Sequence, residues 1–516
     1  MQETYLTGID IGTAGAKASI FDLKGNVVGS AYKGYRCEYP KPNWVEQDAH
    51  HIVSSGMVAA GEALAQSGIN PGSVASISFS TQRCCTICID RSGSLLRPLI
   101  SWQDNRTAVE VNEILQKITR DRYYDITCMP LNTTWMISKI LWLRKHEPQV
   151  WDKIYKIVQL QDFTLRAWGA EGYYDDLSDA GFYGLWDPYE MDWNDEILGL
   201  FGIDRGILPE PTPSGTKVGA VSKRASEKTG FLEGTPLCVG AGDQNCAAVG
   251  AGVVENGLLS VSLGTAGATV VYLNQPFRDP QRMAMVTHHV EQGRWQLEGY
   301  QAAAGSVYRW FKNEMTGLGD APEDVSGKDA YGILDEWISQ VPAGAKGLVF
   351  LPYLASAGTP RWNSEARGVL AGLTLSHDKG CVARSIMEGI SMEVRDMIET
   401  FHRAGIGIDH VRIMGGATKS PVWNQIQADI YNRPVQTLKT SDAAVFGAAI
   451  CGGVGAGIFK DMKEGVSALV SIDKEYRPRK ENVKIYDELY HNYCLAYEGM
   501  DEKGVFHSMA KMQEQY

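Results

Sequence analysis

The tetrapeptide Gly-Thr-Ala-Gly occurs twice, as Gly12-Thr13-Ala14-Gly15 and, about half the chain later, as Gly264-Thr265-Ala266-Gly267. Each copy separates two runs with strand-like alternation, YLTGIDI and AKASIFDL around the first, LLSVSL and ATVVYL around the second. A period of two with a glycine turn between the runs predicts a β-hairpin at both places. After the first hairpin a Gly25-Asn26 turn leads into a third strand pattern, VVGSAY, so the opening reads as a meander. Nucleotide-loop fingerprints need strand, glycine loop and then helix, and no G-x-x-x-x-G-K-[ST] occurs in the chain. The duplicated hairpin therefore predicts two copies of one architecture. Facing each other across a cleft, two such turns would offer backbone N–H groups and threonine hydroxyls to a polyphosphate, with glycine permitting close approach.

Length supports two copies: 516 residues, 44% of them hydrophobic, can fill two large cores. A net charge of −12 with no basic run argues against a nucleic-acid partner. The N-terminus lacks the charged-then-apolar layout of a signal peptide, so a cytoplasmic protein is expected. The longest uncharged stretch, AAVFGAAICGGVGAGIF, is rich in Gly and Ala and shorter than the roughly 20 apolar residues of a bilayer span. It reads as a buried helix and turn, and no membrane partner is expected. Ten cysteines in so long a chain do not suggest a disulfide framework. Cys85 and Cys88 form a C-x-x-C without a second pair, so they read as core residues.

Helical periodicity covers 44–68, 105–119 and 135–148, with a strand at 74–82 and a strand, turn and small-residue helix over 235–252. Strands alternating with helices make the class α/β. The expected divisions are 1–252, 253–470 and a helical tail, 471–516, packed on the second domain.

Ordered blocks along the chain, GIDIGTAGAK, WQDNR, KILWLRKHEP, GAGDQNCAAVGAG, SVSLGTAG, FLPYL, ARGVLAGLTLSH, MGGATKSPVWNQIQADIYNRPV and DAAVFGAAI, resemble those of the FGGY carbohydrate kinases. The resemblance implies two duplicated actin-like, ribonuclease H-like ATPase domains flanking a nucleotide cleft. It implies ATP and Mg²⁺ as cofactors and a small sugar or polyol as partner. Dimers are common in that family, but nothing in the sequence identifies an interface.

By the resemblance, Asp243 accepts the proton of the attacking hydroxyl and, with Asp10, lies near the magnesium. Phosphoryl transfer independently calls for one basic group within reach of the nucleophile. The simpler reading of Asp243 is a helix cap. Gly12, Thr13 and Lys17 belong to the first phosphate loop, Gly264, Thr265 and Gly267 to the second. Gly415, Gly416 and Ala417 approach the adenosine, with Ser420 and Asn424 nearby. The acceptor falls to Gln82, Arg83, Trp102, Asp104 and Gln244. For Arg106 a helix-start ion pair is the competing reading.

The chain also departs from the family. Glycerol kinases carry Gln-Arg-Glu-Thr where this chain has Gln82-Arg83-Cys84, and xylulokinases carry Met-His; Ala14 removes a hydroxyl found in many relatives. A ketopentose such as D-xylulose is the expected acceptor, from WQDNR, RKHEP and DDLSDAGFYGLWD. Glycerol, erythritol, gluconate, L-fuculose, L-ribulose and an autoinducer-type sugar are the alternatives. An actin- or Hsp70-like ATP-driven binding or assembly protein is the alternative of another class.

Overall fold

Alternating apolar side chains draw the N-terminal residues into three antiparallel strands in the computed structural model, which describes residues 3–319, 329–440 and 442–513. These are β1 (Tyr5–Ile11), β2 (Gly15–Asp22) and β3 (Val27–Gly34), paired in sequence as the meander predicts. Three more strands complete the sheet: β4 (Val74–Thr81), β5 (Lys217–Ala220) and β6 (Pro236–Gly242), in the order β5-β6-β4-β1-β2-β3. β4 lies parallel to β1 and β6 parallel to β4, while β5 runs antiparallel at the edge.

Both faces of this sheet are covered, which is why β1 is buried along nearly all its length. The helix Ala49–Ser67 packs on β2 and β3, and the helix Ala443–Gly455 on β1 and β4. The first begins five residues later than periodicity predicts. Asp48 caps it, accepting from the N–H groups of His50 and His51 at 2.8 and 3.1 Å, and Glu46–Gln47 pair instead with Leu99–Ile100. The second approaches so closely that glycine is required. A Cβ on Gly8 of β1 would stand 1.9 Å from the Val445 carbonyl oxygen.

A second sheet repeats this layout. β7 (Gly257–Leu263) and β8 (Gly267–Leu273) form an antiparallel hairpin around the second Gly-Thr-Ala-Gly turn. With β9 (Trp295–Gln301), β10 (Ile408–Met414), β11 (Val435–Leu438) and β12 (Ile472–Tyr476), the order is β9-β8-β7-β10-β11-β12, and a seventh strand, Met285–His288, extends the sheet beyond β9. β10 is parallel to β7, β11 parallel to β10, and β12 antiparallel at the edge, the sequence of directions found in the first sheet. The duplication expected from one tetrapeptide is therefore a duplication of strand order and polarity, and the fold is two α/β domains of the actin-like ATPase type.

By contacts the chain divides into one unit of Met1–Val254, Tyr272–Gln296 and Asp442–Val470, and another of Glu255–Val271, Leu297–Ser441 and Ser471–Tyr516. In the second unit the helix Lys480–Glu502 docks through Tyr486, which receives a 2.8 Å hydrogen bond from Arg384, and through Tyr493, whose hydroxyl lies 2.6 Å from that of Tyr353. Cys85 and Cys88 are buried thiols pushed up to about 12 by desolvation, as core residues should be. Among the described residues no helix is long and apolar enough to cross a membrane.

Candidate active site

Parallel pairing brings the ends of β1, β4 and β6 together. Asp10 lies opposite Ser80, Ile11 opposite Thr81, and Thr81 opposite Gly242. At that edge the chain continues into the Gly12–Thr13 turn, into Gln82-Arg83, and into Asp243. In open α/β sheets ligands bind beyond the carboxyl ends of parallel strands. Segments far apart in sequence are thus delivered to one edge by register.

The first turn is held by side chains. The Thr13 hydroxyl donates to Gln82 Oε1 at 2.9 Å and accepts from the Trp102 indole N–H at 2.9 Å. Gln47 donates through Nε2 to the Thr13 carbonyl at 2.9 Å and accepts from Gln82 at 3.0 Å. With its one proton directed at Gln82, the Thr13 hydroxyl leaves donation toward an anion to the backbone of the turn. Gln82 is itself only 1% exposed with both ends of its amide engaged, so it positions the turn rather than facing an acceptor. Gly12 closes the turn by an N–H bond to the Gly15 carbonyl at 3.0 Å.

Charged groups gather beside it. Lys17 sits opposite Asp10 in the β1–β2 register, and its Nζ bonds Asp442 Oδ2 at 2.5 Å. Asp442 precedes the helix Ala443–Gly455 without capping it, its carboxylate turned to Lys17. Burial pushes the Asp10 carboxyl up to about 7; a 2.6 Å bond from Ser80 opposes the rise, Asp243 and Asp442 add to it, and Lys17 opposes it. Asp10 and Asp243 offer hard oxygen donors, and a cation beside them would relieve the like-charge repulsion, so this pair suits Mg²⁺.

Asp243 opens the helix Asp243–Gly250 as its first residue; the cap position belongs to Gly242. Its Oδ1 accepts the Gln244 N–H at 2.8 Å and lies 3.5 Å from Arg83 Nε, and its side chain is 31% exposed. Arg83 stacks its guanidinium 4.2 Å from the Phe182 ring centre and donates through Nη1 to Asn245 at 3.2 Å. Cys84 turns away: its backbone has φ 59°, its N–H donates to Gln159 Oε1 at 2.6 Å, and its thiol is buried.

Asp104 is engaged by its own neighbours. Its carboxylate is fully buried and takes the Val45 N–H at 2.6 Å, the Arg106 N–H at 3.0 Å and a bidentate guanidinium from Arg106. Arg106 also reaches Glu46 at 2.8 Å and lies 3.7 Å from the Trp44 ring centre. No lone pair of Asp104 is turned toward an acceptor, and the ion-pair reading of Arg106 accounts for both residues.

In the second unit the parallel pairing of Ser262 with Met414 sets the second turn beside the Gly415–Gly416 segment. Gly415 has φ 87°, and a Cβ there would come within 2.7 Å of the Leu263 carbonyl oxygen. Gly264 and Thr265 are exposed, and the segment at Gly305 pins them: Gly305 N–H to Gly264 O at 2.7 Å, Ser306 Oγ to Thr265 O at 2.7 Å. Gly267 is buried at the start of β8. Gly416 is exposed and Ala417 buried. Ser420 caps the helix Pro421–Tyr431 and donates to Asp335 at 2.8 Å, while Asn424 donates to the Thr418 carbonyl at 2.9 Å.

Gln47, Asp442 and Asp335 were not expected. Gln47 lies within the helical periodicity of 44–68, and no motif marks it. Asp442 does carry a signal, since Asp442 before AAVFGAAI repeats the layout of Asp243 before QNCAAVG, an acid opening a small-residue helix.

Comparison with known proteins agrees with this architecture. The model of the N-terminal domain of the FGGY family of carbohydrate kinases matches residues 5–250, and that of its C-terminal domain matches 259–456. A xylulose kinase of Bacillus subtilis is 29% identical over 494 residues, covering 96% of each chain. An autoinducer-2 kinase of Enterobacter sp. is 28% identical, covering 98% of this chain and 97% of its own. The crystal structure of xylulose kinase from Rhodospirillum rubrum superposes with a TM-score of 0.86 at 26% identity, covering 98% of this chain and all of that one. With both of its domain models matched in order, and with the strand polarity repeated between them, the chain belongs to the FGGY family of carbohydrate kinases.

Proposed function

We propose that this carbohydrate kinase phosphorylates a terminal hydroxyl of a ketopentose such as D-xylulose, with Asp243 as the base. The observation that carries the reading is Asp243 at the carboxyl edge of the parallel strands, partly exposed, with Arg83 fixed beside one of its oxygens. Bound ATP and Mg²⁺ would supply the phosphoryl group and offset its charge. Asp10 and Asp243 would hold the cation. Backbone N–H groups at Gly12, Thr13, Gly264 and Thr265 would meet phosphate oxygens, with Lys17 adding charge and Gly267 allowing β8 to start close by. Gly415, Gly416 and Ala417 would accommodate the adenosine, with Ser420 and Asn424 bracing that segment.

Asp243 would receive the hydroxyl proton as the alcohol attacks, and Arg83 would orient the hydroxyl by keeping the carboxylate in one rotamer. Trp102 would pack on the carbon chain, and Gln244 would meet a neighbouring hydroxyl. Cys84, buried with φ 59°, is neither the glutamate of glycerol kinases nor part of the Met-His of xylulokinases, so the choice of a ketopentose over glycerol is supported instead by the WQDNR and RKHEP blocks. It is supported too by the relatives named xylulose kinase.

The test is ADP release measured across a panel of D-xylulose, L-ribulose, glycerol, gluconate, erythritol, L-fuculose and autoinducer-type sugar. D-Xylulose should give the highest kcat/KM, and Asp243→Asn should lower kcat by about 10²–10⁴ while leaving nucleotide affinity intact. ADP release indifferent to every sugar would overturn the reading in favour of an ATP-driven assembly protein.

A further inference from the structure

Behind Asp243, four carboxylates are sealed from water: Asp162, Asp175, Asp176 and Asp179 are each 0% exposed. Asp175 and Asp176 end the short strand Tyr174–Asp176, Asp179 lies in the helical turn Leu177–Ala180, and Asp162 is in the first turn of the helix Leu160–Trp168. One oxygen from each of Asp175, Asp176 and Asp179 lies within 4.8 Å of the others, the one such group of three or more among the described residues. Three oxygens at that limit lie about 2.8 Å from their centre, a few tenths of an ångström from the about 2.3–2.6 Å of calcium–oxygen bonds.

Hydrogen bonds do not account for the cluster. Asp176 is served by Ser178 and by the N–H of Asp179, and Asp175 Oδ2 by Gln159 Nε2 at 3.3 Å, but Asp175 Oδ1 and both oxygens of Asp179 have no hydrogen-bond partner. A neighbouring side chain outside the trio points the same way. Gln161, fully buried, donates its Nε2 to Asp176 Oδ2 at 3.2 Å and leaves its own Oε1 without a donor. Asp162 Oδ1 is likewise unmet. The cation acting on Asp179 is Arg83, which is already committed to Asp243 and Asn245. Burial and mutual repulsion hold the carboxyls of Asp175 and Asp179 far above the ordinary carboxylate range. Buried carboxylates without donors are stable only when protonated or bound to a cation.

We propose that Asp175, Asp176 and Asp179 form a cation site for a hard divalent ion, separate from the Asp10–Asp243 pair, and that on binding the Gln161 amide turns over to present its oxygen where Nε2 now meets Asp176. An all-oxygen donor set excludes thiophilic metals and suits Ca²⁺ or Mg²⁺, and a monovalent ion would leave two of the three charges unmet. The site bears on the reaction edge through Gly242. A Cβ there would stand 2.4 Å from Asp179 Oδ1 and 2.3 Å from Arg83 Cδ, so the aspartate, the arginine stem and the residue before Asp243 are in mutual contact. A cation holding Asp179 keeps its charge from competing with Asp243 for Arg83.

The test uses EDTA-stripped full-length protein without nucleotide, carrying Asp10→Asn and Asp243→Asn so that the reaction-edge carboxylates are silent. Titration calorimetry with CaCl₂ and with MgCl₂ should show one site, and the bound ion should raise Tm by about 2–6 °C. Adding Asp175→Asn should abolish both signals, and Gln161→Leu, the milder change, should weaken affinity about tenfold. Binding of neither ion, or binding indifferent to both changes, overturns the site. A rise in Tm at pH 8 on Asp175→Asn with no cation effect does so as well, since it would mean that protons hold the cluster together.

Discussion

The indole N–H of Trp102 donates to the Thr13 hydroxyl at 2.9 Å, and the same hydroxyl donates to Gln82. The aromatic wall assigned to the acceptor and the first phosphate turn therefore share a bond. Trp102→Phe keeps a ring and removes the donor. Loss of one hydrogen bond of about 0.5–1.5 kcal/mol should raise the KM for ATP about 2- to 12-fold along with that for the sugar. Initial rates with each substrate varied separately decide it, because a ring that only packs on carbon would alter the sugar KM alone.

Asp10 carries a pH signature. Its folded value of about 7 lies above the ordinary 3.8, so between those values the folded chain holds a proton that the unfolded chain has released. Stability from this group is present at low pH and is lost as pH rises toward 7. Asp162, raised to about 7, and Glu393, raised to about 8 by burial, act with the same sign. Urea midpoints in EDTA should fall from pH 5 to pH 8, and Asp10→Asn should make the fall shallower. An unchanged slope in that variant would refute the assignment of a raised value to Asp10.

What the sequence made legible was local. A period of two with a glycine turn is written in a dozen consecutive residues, so both hairpins can be read directly, and Asp243 announces itself by ending an apolar strand ahead of a small-residue helix. What it hid was set by tertiary partners. Asp104 looks available until the Val45 N–H and the Arg106 side chain occupy it. Gln47 becomes part of the site only because Glu46–Gln47 pair with Leu99–Ile100 and so turn it toward Thr13. The late start of the helix at Ala49 has the same origin, since strand pairing and the Asp48 cap outweigh a periodicity that continues upstream.

Lys17 is expected to be restrained by Asp442. The pair is 2.5 Å apart but 32% and 43% exposed at its two ends, so its worth to stability is small, under about 1 kcal/mol. Asp442→Ala should leave the urea midpoint nearly unchanged and lower the ATP KM by about 2- to 5-fold, the share of the pair released to phosphate. Lys17→Met should raise that KM. If both variants raise it equally, Asp442 acts as a ligand rather than a restraint.

Gly250 and Gly447 make a reciprocal contact between the helix that Asp243 opens and the helix that Asp442 precedes. A Cβ on Gly250 would stand 1.9 Å from the Ala443 carbonyl oxygen, and one on Gly447 would stand 1.9 Å from the Cys246 carbonyl oxygen. Within a helix, replacing glycine by alanine ordinarily stabilises by roughly 0.5–1 kcal/mol. Here the obstruction is backbone, which cannot rotate aside, so the sign should reverse, with a cost toward the top of the about 1–3 kcal/mol of overpacking. The relief available is a shift of one helix along the other, and Asp243 moves with its helix; displacement by about 1 Å can lower kcat about 10²-fold. Gly499, exposed in the helix Lys480–Glu502 with nothing within 4 Å of its would-be Cβ, is the control. Thermal unfolding and kcat measured together should show Gly499→Ala more stable and fully active, and Gly250→Ala and Gly447→Ala less stable and slower. Should Gly250→Ala behave like Gly499→Ala, the two helices do not touch as described, and the tie between the base and the phosphate-side carboxylate is lost.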